Sequence, residues 1–309
     1  MCRPYIFQSL LYSRERALII KIRGWFNPDM TNTNALMIQP LSGALGAEII
    51  GVDLALTLNE MAIKTIRQAL LNHLVLVFRD QTITPEHHIA FAKAFGDIVP
   101  YPFVQGLDEH PDIIPVVKLE NEIINFGGLW HADTTYLDIP PMGSILVARE
   151  LPPVGGDTLF ANMYMAYEAL SDGLKKMLGG LIVVNSSAKK AVASTRVINK
   201  EARAKEDPTS AREAEHPAVR THPETGRKAL YVNGAHSVQF KGMSPAESSP
   251  ILKYLFAHQT KPEFTCRVQW QPGTIVFLDN RCVQHNPIND YHGHKRVLHR
   301  ITLAGDKPV

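Results

Sequence analysis

Regular alternation of apolar and polar positions begins at Leu36. Ala47-Glu48-Ile49-Ile50-Gly51-Val52 reads as a strand, and Met61, Ile63, Ile66, Leu70 and Leu71 recur at helical spacing between Asn59 and Asn72. Leu74 to Phe78 is an unbroken apolar run, which predicts a strand buried on both faces. Thr84-Pro85-Glu86 opens a second helix with a cap residue and a proline in its first turn, and Gly96 closes it after Phe95.

Past this point short strand-like runs dominate: Ser144 to Ala148, Thr158 to Ala161, Leu181 to Asn185, Ala229 to Val232, Phe264 to Trp270, Thr274 to Leu278 and Arg296 to Leu303. Glycine and proline punctuate them. One late helix interrupts, capped by Ser244 with Glu247 completing a capping box, and runs to about His258 with Pro250 as a candidate kink. The polar stretch 186–215 has no strong period and reads as a loop or partly helical lid. With no repeat and no linker, residues 35–309 predict a single, mainly β domain with peripheral helices, closed or sandwiched as a jelly roll.

Composition narrows the class. The 309 residues are 45% hydrophobic and 20% charged, the balance of a globular protein. A formal charge of +2 without a basic block argues against a nucleic-acid surface. The three cysteines fit a reducing cytoplasm better than a disulfide framework. No apolar run approaches the roughly 18 residues of a membrane span. Residues 1–34 carry five basic against two acidic side chains and read as an extension, disordered or preceding a native start at Met30.

Among 13 histidines and 30 acidic residues, chance yields roughly one His-x-acid spacing. The chain has three. His110-Pro111-Asp112 and His222-Pro223-Glu224 hold a central proline and read as surface turns. His131-Ala132-Asp133, between Trp130 and Thr134-Thr135-Tyr136, suits a half-buried strand that offers an imidazole and a carboxylate on one face. A facial triad then needs a second imidazole from elsewhere, leaving positions open on the metal. His285, after the Asp279-Asn280-Arg281 turn, is the candidate, whereas His292 and His294 read as surface residues. Arg296 and Arg300 share a strand face, separated by roughly 13 Å. Two readings remain open for them: solvated edge arginines, or buried guanidiniums awaiting anions.

Taken together, Trp130-His131-Ala132-Asp133-Thr134-Thr135-Tyr136, Gly155-Gly156-Asp157-Thr158, Trp270-Gln271-Pro272, Asp279-Asn280-Arg281, Gln284-His285 and His299-Arg300 resemble the taurine and 2,4-dichlorophenoxyacetate dioxygenase family (TauD/TfdA). The likeness spans about Leu36 to Val309, and Gly305-Asp306-Lys307-Pro308 is especially similar to taurine dioxygenases. The resemblance implies a double-stranded β-helix (a cupin-like jelly roll) with His131, Asp133 and His285 as Fe(II) ligands. It implies 2-oxoglutarate and O2 as cosubstrates, with Thr158 and Arg296 on the far carboxylate of 2-oxoglutarate. Arg300 matches the residue that meets the acidic group of the prime substrate. A homo-oligomer, dimer or tetramer, is expected on the same ground; the cysteines, the charge and the apolar run lengths given above carry the expectation of a cytoplasmic protein with no nucleic-acid or membrane partner.

Two departures bear on the substrate. Taurine dioxygenases place an Asn four residues before the first His ligand, where this chain has Gly127. The histidine that helps grip the sulfonate is absent, and Tyr101 and Phe103 stand at the matching positions. An aromatic pocket with one arginine points to a sulfonate or aryloxyalkanoate bulkier than taurine, hydroxylated with release of succinate and CO2. Taurine itself, a zinc hydrolase and a non-catalytic jelly-roll binding protein are the rival readings.

Overall fold

The computed structural model describes residues 36–189 and 211–309. The expected extension at 1–34, and residues 190–210 of the polar stretch, lie outside them. Strand alternation splits the core into two layers around one large sheet. Its seven strands run in the order β1 (Met37–Pro40), β2 (Ala47–Ile50), β3 (Val75–Phe78), β13 (Ile275–Asp279), β5 (Gly143–Glu150), β15 (Arg296–Leu303) and β4 (Ile114–Lys118). Among the described strands only β2 and β3 pair in parallel.

Leu76, Phe78, Ile275 and Phe277 point to one face, where they meet Ile66 and Leu70 of α1 (Glu60–His73) and Phe91 of α2 (Pro85–Lys93). Val75, Val77, Val276 and Leu278 point to the other. There they pack against β6 (Thr158–Asn162) and β14 (Val283–Pro287), which form a three-stranded sheet with β12 (Thr265–Val268). Each such buried side chain contributes about 1.5–3 kcal/mol, so the unbroken apolar runs of β3 and β13 follow from burial on both faces. A further sheet, β11 (Ser237–Phe240), β7 (Ile182–Ser186) and β8 (Glu213–Pro217), and the hairpin β9 (Val219–Thr221) and β10 (Lys228–Leu230) complete this layer. The four sheets among the described residues have open strand orders, so the architecture there is sandwiched rather than closed.

The helix termini follow their caps. Asn59 accepts from Ala62 N–H at 2.8 Å, Thr84 caps α2, and Ser244 with Glu247 forms the capping box of α5 (Pro245–Gln259), which contains Pro250. Two short helices, α3 (Met163–Glu168) and α4 (Asp172–Leu178), were not foreseen, since neither is long enough to display a period. Strand β4 was hidden by Pro115, which is tolerated because β4 lies at the sheet edge. The polar stretch is shorter than its sequence suggests: Ser186 pairs with Glu213, so its ends are arms of an antiparallel pair. Among the described residues no helix is long and apolar enough to cross a membrane.

Candidate active site

His285 sits at the centre of β14, opposite Phe160 of β6. The His131-Ala132-Asp133 segment is not a strand. It makes a single bridge to β14, with His131 and His285 exchanging both backbone hydrogen bonds at 3.1 and 2.8 Å, and Thr134 then turns the chain sharply at φ 45°. A β-branched residue in that region is strained by about 1–3 kcal/mol, a cost that persists where surrounding structure enforces it. The two imidazoles are thereby brought to a centroid separation of 4.1 Å.

His131 Nδ1–H donates to the Leu129 carbonyl at 2.6 Å, and its Nε2 lies 3.6 Å from Asp133 Oδ1. Asp133 Oδ2 accepts from Ser144 at 2.7 Å and from Asn280 at 3.4 Å, and Oδ1 accepts from Arg300 at 3.3 Å. Burial alone would raise the Asp133 carboxyl, yet Arg300, His131 and His285 together hold it well below the usual carboxylate range. His285 is pushed down to about 3, chiefly by burial, so it is a neutral imidazole. Its Nδ1 has no hydrogen-bond partner. Two imidazoles and one carboxylate, with one ligand atom each inside a 4.8 Å group, fit a divalent first-row metal.

Along β6 and β14 the register places Thr158 opposite Pro287, two residues from the Phe160–His285 pair, or about 6.6 Å. Thr158 Oγ1 accepts from Trp270 Nε1 at 3.0 Å and lies 3.5 Å from the Arg296 guanidinium, leaving its own proton to donate. Arg296 is buried, its Nε has no partner, and burial pushes its pKa down. Gly156, at φ +72°, lets the backbone approach closely, since a Cβ there would meet Arg296 Cδ at 3.1 Å. Arg300 keeps Nε and one terminal nitrogen without partners, and its guanidinium carbon lies 4.7 Å from the Tyr101 ring centroid. One cavity is lined by His131, His285, Thr158, Arg296 and Arg300 together.

Of the two aromatic candidates, Tyr101 packs against Arg300. Phe103 lies one ring further out, 6.1 Å from Tyr101, in a cluster with Ile114 and Tyr136. Gly127 has φ +72°, and a Cβ there would come within 3.1 Å of the His131 ring, so a side chain at this position is strained. The sequence reading assigned no role to Ser144 or Asn280, the two residues that hold Asp133. The Asp279-Asn280-Arg281 motif was visible, but its division of labour was not.

His222 is corrected. It is buried rather than a surface residue, because its Nε2 meets Asp279 Oδ2 at 3.1 Å. With Cys282 these form a second group of ligand-type side chains. Arg281 already occupies both Asp279 oxygens, at 2.9 and 2.7 Å, and reaches Glu224 at 2.8 Å. His222 Nδ1 accepts from the backbone of Glu224 and Thr225 at 3.2 and 3.3 Å. His292 and His294 are exposed, and Pro111 occupies a turn.

The model of the taurine catabolism dioxygenase TauD, TfdA family matches residues 37–302. An alkylsulfatase of Acinetobacter baylyi is 37% identical over 278 residues, covering 89% of this chain and 86% of its own. An alpha-ketoglutarate-dependent sulfate ester dioxygenase of Pseudomonas putida is 34% identical over 281 residues, covering 89% of this chain and 91% of its own. The solved structure of a taurine dioxygenase from Burkholderia xenovorans matches with a TM-score of 0.74 at 35% identity, covering 89% of this chain and 91% of that one. A family match across nearly all the described residues, with relatives this similar along most of their length, makes the chain a member of the TauD/TfdA dioxygenase family.

Proposed function

We propose that this chain is an Fe(II)- and 2-oxoglutarate-dependent dioxygenase that hydroxylates a small organic anion with release of succinate and CO2. The observation that carries the reading is one cavity lined by both histidines of the His131, Asp133, His285 group and by the Arg296–Thr158 pair. Iron, when bound by those three side chains, supplies the activation of O2.

The chain's own part is binding and orientation. Asp133 stays ionised and His285 neutral, so the donor set is ready without a change of protonation. Arg296 and Thr158 grip the far carboxylate of 2-oxoglutarate, a fork-shaped cation and a hydroxyl sharing its lone pairs. The metal-to-Thr158 spacing of about two strand residues suits a five-carbon diacid spanning the two. Arg300, with two donors free and Asp133 at its side, orients the acidic group of the prime substrate near the metal. Tyr101 backs that arginine, and Phe103 backs Tyr101.

The substrate class is a sulfate ester, sulfonate or aryloxyalkanoate, supported by the sulfate-ester relative and by the aromatic wall beside Arg300. Hydroxylation of a carbon that bears the ester, sulfonate or ether oxygen leads to fragmentation. A homo-oligomer in the cytoplasm belongs to the same reading, and light scattering tests its oligomeric part. The direct test is succinate formation by anaerobically prepared, Fe(II)-loaded protein given O2, 2-oxoglutarate and a panel of these three classes. Stimulation by one class identifies it, whereas failure of the protein to bind iron refutes the reading.

A further inference from the structure

Strand β4 ends in Lys118, and the β4–β15 register sets Lys118 directly opposite Arg296. Directly opposed residues of an antiparallel pair share a face, and like charges there are destabilising. Here both are also out of water: Lys118 is 2% exposed and Arg296 4%. Neither makes an ion pair with a carboxylate among the described residues, and Lys118 Nζ and Arg296 Nε both lack hydrogen-bond partners. Three nearby acids have partners elsewhere, Asp157 with Arg267 at 2.6 Å, Asp290 with the Gly156 N–H at 2.7 Å and Glu122 with the Leu119 N–H at 2.6 Å.

What lies between the two cations is Tyr291. Lys118 Nζ stands 4.3 Å over its ring, its side chain is close enough to Arg296 to favour the charged guanidinium, and its hydroxyl donates to Asn125 at 2.7 Å. A cation–π contact of this kind contributes about 0.5–2 kcal/mol. Burying an unpaired ammonium costs several kcal/mol, so the ring alone does not offset it. Lys118, Tyr291, Arg296 and Thr158 all line the cavity described above.

We infer that Lys118 is a cosubstrate-binding residue, its ammonium sharing the far carboxylate of 2-oxoglutarate with Arg296 and Thr158. The inference rests on the reading that this carboxylate lies at Arg296. A carboxylate presents about four lone-pair positions. A guanidinium, a hydroxyl and an ammonium arriving from β15, β6 and β4 fix its position from three sides. The bound anion would also relieve the repulsion that the strand register imposes on the two cations.

Calorimetric titration of the iron-loaded full chain under argon tests this with two probes. One is 2-oxoglutarate; the other is 2-oxobutyrate, which keeps the keto-acid head and lacks the far carboxylate. Lys118→Met should weaken 2-oxoglutarate by about tenfold or more while holding 2-oxobutyrate within about twofold, and Lys118→Arg should restore most of the loss. Lys118→Gln serves as the second uncharged variant where Lys118→Met is poorly folded by thermal melting. Unchanged affinity for 2-oxoglutarate, or equal weakening of both probes, overturns the assignment. Arg296→Met separates the two levels: if it weakens 2-oxoglutarate and the Lys118 variants do not, only the Lys118 inference fails. Wild-type affinity in Arg296→Met removes the underlying placement as well.

Discussion

His131, Asp133 and His285 each bring a ligand atom into one 4.8 Å group, and so do His222, Asp279 and Cys282 further along the same β-sandwich. Both groups are buried, and each contains an aspartate held ionised by an arginine. They differ in what is left over. Around Asp279 every strong donor has met an acceptor: Arg281 clasps both oxygens, His222 uses both ring nitrogens, and Glu224 closes the chain with Arg281 and with Arg67 at 2.9 Å. Around Asp133 partners are missing, at His285 Nδ1 and at two nitrogens of Arg300, and a cavity opens beside them. Closeness of ligand types therefore does not make a site; unmet valence facing open space does.

The contrast is broken most severely at Asp133. Asp133→Ala should lower succinate formation by more than about 100-fold and strip the protein of iron, read by metal analysis of the purified variant. Asp279→Ala should do the reverse, destabilising the fold by about 3–5 kcal/mol in urea titration because Arg281 and His222 lose their acceptor. Its folded fraction should retain wild-type iron, and loss of a second metal equivalent would erase the distinction.

Within the first group, Arg296→Met should raise the 2-oxoglutarate KM by about tenfold, and Arg300→Met should act mainly on the prime-substrate KM. Reversed effects in steady-state assays would exchange their roles. The smallest effect is in acid. Asp279 titrates below its unfolded value, so its stabilisation is present above about pH 4 and is lost as pH falls toward the folded pKa. The stability gap between wild type and Asp279→Asn should narrow by about 1 kcal/mol from pH 4 to pH 3, measured by urea melts.

Much of this was legible in the sequence where one principle acted alone. Helical spacing located α1, cap residues located α2 and α5, and burial on both faces produced the apolar runs of β3 and β13. Elements governed by pairing were harder to read. Pro115 disguised β4, and His131-Ala132-Asp133 imitated a strand while belonging to a loop pinned by one bridge to β14. His222 was misread because proline reported the turn correctly and said nothing of Asp279, 57 residues away in the chain. Lys118 gave no local signal at all; its burial depends on β15 lying beside it.

Asp279, Asn280 and Arg281 are consecutive, yet Asn280 reaches Asp133 while its two neighbours hold each other and His222. For a lineage under selection, such a turn is a locked inheritance: a change there disturbs anchor and ligand set in one stroke. Tyr101, packed on Arg300, and Phe103 behind it lie outside that turn. On the proposed placement of the prime substrate beside Arg300, descendants can thus exchange these rings for a new acid while the turn is passed on unaltered, and directed evolution of substrate range should begin at residues 99–104.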